Sequence, residues 1–216
     1  MIEACPALKA NGADSRPFAF RGGRVAKFSR MANRGRPWKL QSRIVEMRNE
    51  WMGLVGERWS DEEANQVDYW RVENPDSLIV IVIADSRLLL PPPSFRPGVG
   101  RSTLDFCGGR LRNPEDLRGE AERIVRKELG LGQPGLFDGF ERVNPVGWET
   151  NSSFESQRVF GVVGVLRDDL VVDADLVGAS FYCNEAGIAD LREQMTCLQC
   201  RGVLGEALRL GLLGGV

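Results

Sequence analysis

Leu78 to Ala84 reads LIVIVIA, seven apolar residues in a row. Most of them are β-branched. A strand with one wet face alternates, so an uninterrupted run of this length is the signature of a strand buried on both faces. It therefore calls for helices on either side of a sheet. Seven residues are also too few to cross a bilayer, which takes about 20 in a helix. No longer apolar run occurs, and the N-terminus lacks the apolar stretch of a secretory signal. A cytoplasmic protein with reduced thiols is expected, with no membrane partner.

The rest of the chain supplies the neighbours that strand requires. Trp38–Met47, Met52–Trp59 and Val67–Glu73 read as N-terminal strands. Arg87–Leu90 extends the central run as a hairpin partner, and Pro91-Pro92-Pro93 then breaks it. Arg101–Phe106 reads as a short strand and Gly108-Gly109 as a tight turn. Pro114–Leu129 is the strongest helix. Pro114, Glu115 and Asp116 suit its N-terminal turn, and Gly130 suits its C-terminal cap. Phe137–Val143, Val159–Leu166 and Leu176–Cys183 are further strands, and helices over Glu185–Leu198 and Val203–Leu213 close the chain. The expected class is α/β, a mixed sheet covered by helices, with antiparallel N-terminal strands over 37–75.

Charge divides the 216 residues unevenly. Residues 1–39 hold nine Lys/Arg and two Asp/Glu; residues 40–216 hold 19 and 28. Residues 1–36 lack apolar periodicity and read as a flexible basic extension. Met31 offers an alternative start just ahead of the first strand. A polyanion-binding arm is the functional reading of this segment, but too few aromatics interleave its arginines for a stacking platform, so a nucleic-acid partner is not expected.

The chain has no histidine. That removes Ser-His-Asp and Cys-His catalysis and every His-ligated metal site. Chemistry must come from carboxylates, Lys, Arg, thiols or backbone. Of the five cysteines, Cys197 and Cys200 form a C-x-x-C. Zinc would need two further ligands, and no second pair exists, so the two read as small residues on a C-terminal helix.

Gly109 to Leu131, GRLRNPEDLRGEAERIVRKELGL, resembles the signature segment of the Nudix hydrolase family, G-x5-E-x7-R-E-U-x-E-E-x-G-U with U a bulky aliphatic. Gly109, Glu115, Arg123, Val125, Glu128, Gly130 and Leu131 match in register. Ile124 and Lys127 stand where the family has glutamates. Trp38–Arg48 with Asn49-Glu50-Trp51, and Phe95-Arg96 with GRSTLDFCGG ahead of the segment, look like the ADP-ribose pyrophosphatase branch. The resemblance implies a Nudix α/β/α sandwich over 37–216, with the signature at 109–131. It also implies a substrate in which a nucleoside diphosphate is linked to a second group, Mg²⁺ or Mn²⁺ as cofactor, and a homodimer paired through the N-terminal strands.

Carboxylates at relative helix positions 0, +3 and +4 share one face, about 0°, −60° and +40° around the axis, and so gather oxygens for a divalent ion. Here those positions are Ile124, Lys127 and Glu128. The local formal charge is zero where the family has three negative charges. An ammonium about 4 Å from a divalent ion is repelled by several kcal/mol even at an effective dielectric near 20. Glu120 lies on the same face, but its Cα is about 12 Å along the axis from that of Glu128. It is expected to pair with Arg123. Glu115 is open between an outer ligand and a helix stabiliser. In the loop Asn151–Val159, Gln157 falls where the branch often supplies a glutamate. Glu155 or Glu149 are the stand-ins, or else exposed loop carboxylates.

The expectation is a degraded metal site with weak or absent hydrolysis and retained binding of a nucleoside-diphosphate-linked ligand. The catalytic candidates are Glu128, Glu115 and Arg123. The ligand-binding candidates are Arg96, Gly108, Gly109 and Lys127, with Phe95, Trp51 or Trp148 stacking on a base or ribose. If a metal binds at all, Glu128, Glu115 and the Gly108 carbonyl are its ligands. Two alternatives stand beside this: an active metal-dependent pyrophosphohydrolase with a rearranged site, and a non-catalytic scaffold or regulator using the basic arm.

Overall fold

The computed structural model describes residues 37–214. The basic extension and the alternative start at Met31 lie outside the described residues. Strands β1 (Lys39–Arg48), β2 (Gly53–Ser60) and β3 (Gln66–Glu73) form an antiparallel sheet in that order. Next come β4 (Ser77–Ala84), β5 (Arg87–Leu90), the short β6 (Ser94–Arg96) and β7 (Arg101–Thr103), then β8 (Cys107–Arg110). Helix α1 spans Leu117–Leu129. β9 (Phe137–Arg142), β10 (Trp148–Glu149), β11 (Arg158–Leu166) and β12 (Ala179–Tyr182) precede α2 (Glu185–Gln194) and α3 (Leu198–Arg209).

The second sheet is mixed. Its path is β10-β11-β4-β5-β12, with β8 also pairing β4 and β9 also pairing β11. β4 and β11 run parallel, and the other pairings are antiparallel. β4 lies at the centre, and its alternate side chains explain the unbroken apolar run. Leu78, Val80 and Val82 pack with Ala121, Ile124 and Val125 of α1. Ile79, Ile81 and Ile83 pack with Ile188 and Leu191 of α2 and with Val203, Leu204 and Ala207 of α3. A polar residue anywhere from 78 to 83 would enter one of two dry interfaces. This is the α/β/α sandwich that the sequence implied.

Four local expectations are corrected. Gly108 and Gly109 do not make a tight turn; they lie in β8, paired with Ile79 and Leu78 of β4. The half of β4 that β5 leaves unpaired, Ser77 to Val80, offers a hydrogen-bonding partner that sequence spacing does not reveal. The expected strand Arg101–Phe106 is correspondingly divided, its first half pairing with β6 and residues 104–106 bridging to β8. Helix α1 starts three residues after Pro114. Asp116 is its N-cap and accepts the Gly119 N–H at 2.9 Å, while Asn113 organises the turn before it. A capping carboxylate outcompetes a proline for the helix start. Lastly, α2 ends at Gln194, because Met195 leaves the helix in an extended conformation and is completely buried. Cys197 becomes the N-cap of α3 and Cys200 lies in its first turn.

The N-terminal sheet is tied to the sandwich through β3. The Val72 N–H donates to the Phe154 carbonyl at 2.8 Å, and the Ser156 N–H donates to the Val72 carbonyl at 3.0 Å. Among the described residues no helix is long and apolar enough to cross a membrane.

Candidate ligand site

β8 and α1 put the signature segment beside two adjoining hollows, of about 580 and 470 Å³, which share Arg96, Gly108 and Gly109. The first is charged. Arg96, Arg110, Arg112, Arg123 and Lys127 line it against two acids, Glu50 and Glu128, with Trp51 and Ile124 beside them. The second has an apolar side formed by Leu78, Ile79, Val99 and Phe106, with Asp105, Cys197 and Cys200 at another side. An anionic group with an apolar or aromatic appendage matches this pairing of surfaces.

Ile124 is 2% exposed and belongs to the core between β4 and α1. Lys127 is exposed at the rim. Glu128 is half-buried, and its Oε2 accepts the Gly108 N–H at 3.2 Å. Burial raises its pKa, opposed by hydrogen bonds from Gly108 and the Cys107 thiol and by the positive charge of Lys127 and Arg96. Burial likewise raises the pKa of the Cys107 thiol, with the neighbouring Glu128 adding to it.

Glu120 is buried. Its Oε2 accepts Arg123 Nη2 at 2.7 Å and the Arg112 N–H at 3.2 Å. Burial works to raise its pKa, yet the Arg123 guanidinium and the Arg112 N–H bring it below the ordinary carboxylate value. The expected Glu120–Arg123 pair is thus present, and Arg123 also donates to the Arg110 carbonyl at 2.9 Å. Glu115 is not brought to the same place. It is exposed ahead of α1 and lines a separate groove with Arg118, Phe140 and Glu141. Among the candidates, then, Glu128, Arg123, Arg96, Gly108, Gly109 and Lys127 converge, and Glu115 stands apart.

The loop after the segment is held elsewhere. Glu155 accepts Asn74 Nδ2 at 3.0 Å and the Thr150 hydroxyl at 2.7 Å. Gln157 donates to the Pro75 carbonyl at 2.9 Å, and Glu149 is exposed in β10. Of the aromatic candidates, Trp148 packs against the core. Phe95 is exposed in β6. Trp51 lines the charged hollow with the Arg110 guanidinium 5.0 Å from its ring centre.

Sequence reasoning overlooked Arg110 and Arg112. Their signal was the run Gly-Arg-Leu-Arg itself, which in a strand leading to a helix puts two guanidinium groups at the segment's start. It also overlooked Asp105. Its Oδ2 accepts the Thr103 hydroxyl at 2.8 Å and Arg96 Nη2 at 3.1 Å. Cys197 has its pKa lowered to about 6, chiefly by the hydrogen bond from the Cys200 thiol and then by backbone N–H groups of the helix start.

No family model and no curated protein matches the chain. Solved structures do. One described as an ADP compounds hydrolase superposes with a TM-score of 0.66 at 14% identity, covering 82% of this chain and 95% of that one. At that identity the likeness shows the fold, the Nudix-type mixed α/β architecture with an antiparallel N-terminal sheet.

Proposed function

We propose that this chain binds a nucleoside-diphosphate-linked small molecule, with its diphosphate in the charged hollow and its nucleoside or second group in the apolar one. In this reading hydrolysis is weak or absent. The observation that carries it is the composition of the charged hollow: four guanidinium groups and one ammonium face Glu50 and Glu128, and with Arg123 paired to Glu120 and Arg96 to Asp105 an excess of positive charge still remains. Such a surface attracts an oxyanion and repels a cation. Arg96, which borders both hollows and whose Nε and Nη2 are taken by Asp105, would meet a phosphate with Nη1, and Lys127 would neutralise charge that relatives leave to a metal.

The donor set does not fit Mg²⁺ or Mn²⁺. These ions want several converging oxygens. Of the three helix positions only Glu128 is acidic, Glu120 is held by Arg123, and Glu115 lines another groove. No hydrolytic step through such an ion follows from these residues. The ADP-compound activity of the structural neighbour supports the ligand class and leaves the reaction to be tested.

The homodimer belongs to the same proposal. β1 exposes Leu40, Ile44 and Met47, and Trp70 of β3 is 46% exposed. A ten-residue strand with almost no covered side chain is the natural seat of a second copy.

The test is thermal unfolding with ADP-ribose in chelator and then in Mg²⁺. Ligand at 100 times its Kd contributes about 2.7 kcal/mol, which raises Tm by about 5–10 °C for a domain of this size. The expected result is the same rise with and without metal, and no AMP. Metal-dependent AMP release abolished by Glu128→Gln would overturn the reading in favour of a rearranged active site.

A further inference from the structure

Cys197 and Cys200 open α3, and the segment 104–106 between β7 and β8 brings Asp105 close to them. One ligand atom from each of the three lies within 4.8 Å of the other two. Around a tetrahedral zinc ion, bond lengths near 2.3 Å to sulfur and 2.0–2.2 Å to oxygen put neighbouring ligand atoms roughly 3.5–3.8 Å apart. The cluster is therefore within a side-chain adjustment of a three-ligand site.

Asp105 supplies the second observation. Its Oδ2 takes the hydrogen bonds from Thr103 and Arg96, while Oδ1 is buried and has no hydrogen-bond partner. A buried carboxylate oxygen without a donor is costly unless something binds it. The cluster also lines the apolar hollow, so a fourth position would face a space open to water or to a bound molecule.

The geometry points to a site for one thiophilic divalent cation of the zinc class, held by Cys197, Cys200 and Asp105, with its fourth position toward the hollow. Thiolates select such an ion over magnesium or manganese. The charges balance as well. Two thiolates and a carboxylate bring three negative charges, the ion two positive, and the Arg96 guanidinium on Asp105 offsets the remainder. Thr103 and Arg96 orient the carboxylate as outer partners do in metal sites. Three protein ligands and one open position are the arrangement of a reactive or substrate-binding zinc, whereas structural zinc is closed by four. This inference shares Arg96 with the proposed diphosphate site but requires no bound diphosphate.

The test uses the full reduced chain, stripped by chelator and titrated with Co²⁺ and then Zn²⁺. One equivalent of Co²⁺ should give the near-ultraviolet thiolate-to-cobalt band of a tetrahedral site, and one equivalent of Zn²⁺ should bleach it. Cys197→Ser should lose the band, and Asp105→Asn should weaken binding by more than about tenfold, the loss that an outer-shell change alone brings. Absence of the band in the unaltered chain overturns the proposal, and so does a band that survives unchanged in both variants. The titration of the unaltered chain decides the matter even if a variant fails to fold.

Discussion

The Glu128 carboxylate accepts the Gly108 backbone N–H at 3.2 Å. The last acid of the signature helix thereby fastens α1 to β8 from a half-buried position, and burial raises its pKa. A raised carboxylate pKa means that the folded state holds the proton more tightly than the unfolded chain. Its contribution to stability is full below the unfolded pKa and is lost as pH rises through the folded one. Glu128→Gln keeps the acceptor and removes the charge. The variant should match the parent in Tm at acid pH and become the more stable of the two as pH rises toward neutrality. Parallel Tm profiles across that range would contradict the assignment.

Lys127 is exposed and Ile124 is buried, so placing glutamates at these two positions should have unequal effects. Lys127→Glu changes the local charge by two units with little cost in stability, since nothing buried is disturbed. It should lower affinity for ADP-ribose in chelator and raise affinity for Mn²⁺, both readable by calorimetry. Ile124→Glu puts an unpaired carboxylate into the layer between β4 and α1, at a cost of several kcal/mol. Denaturant unfolding should show that loss, and a stable Ile124→Glu protein would refute the packing argument.

Much of this fold was legible because its main elements follow local rules. LIVIVIA carried the signature of a doubly buried strand, and Gly130 could be read as a helix stop. What escaped depended on partners distant in the chain. Gly108 and Gly109 are extended because the edge of β4 is there to pair with them. The helix break at Met195 follows from burial against the sheet, which periodicity alone does not carry. The site divides in the same way. The register of Glu128, Lys127 and Arg123 came from the resemblance to the Nudix signature. The proximity of Asp105 to Cys197 and Cys200, some ninety residues apart, has no signature in the sequence.

The two glycines that bracket the segment should respond differently to a methyl group. At Gly109 an added Cβ would meet Ile124 carbons at 3.6 and 3.7 Å, ordinary contact in an extended strand. Gly109→Ala should change stability by less than about 1 kcal/mol. Gly130 caps α1 in the left-handed region at φ 68°, and its Cβ would lie 2.3 Å from Leu176 Cδ1. Gly130→Ala should cost about 1–2 kcal/mol from the backbone alone, before any clash is relieved. Equal midpoints for the two variants in urea would be inconsistent with β8 being a strand.

Glu57 in β2 is the most buried charge among the described residues, at 1% exposure. Arg71 of β3 donates to its two oxygens at 3.0 and 3.2 Å, and Arg43 of β1 donates at 3.2 Å. One carboxylate thus ties together all three strands of the N-terminal sheet. The hydrogen bond from Arg71 is the main cause holding its pKa below the ordinary 4.5, against the opposing effect of burial. A depressed folded pKa contributes stability that is present above the unfolded value and is lost as pH falls through the folded one. Acid should therefore loosen this sheet below about pH 4–5, the region where unperturbed glutamates titrate. Glu57→Ala leaves Arg43 and Arg71 with their remaining partners Glu46 and Glu73 and should cost about 1–3 kcal/mol at neutral pH. Glu57→Gln should cost less and remove part of the acid dependence. Hydrogen exchange of β1 and β3 amides would report the effect locally: protection should fall there first, while β4 amides keep theirs. Loss of β4 protection at the same pH would show that the sheet and the sandwich unfold as one unit.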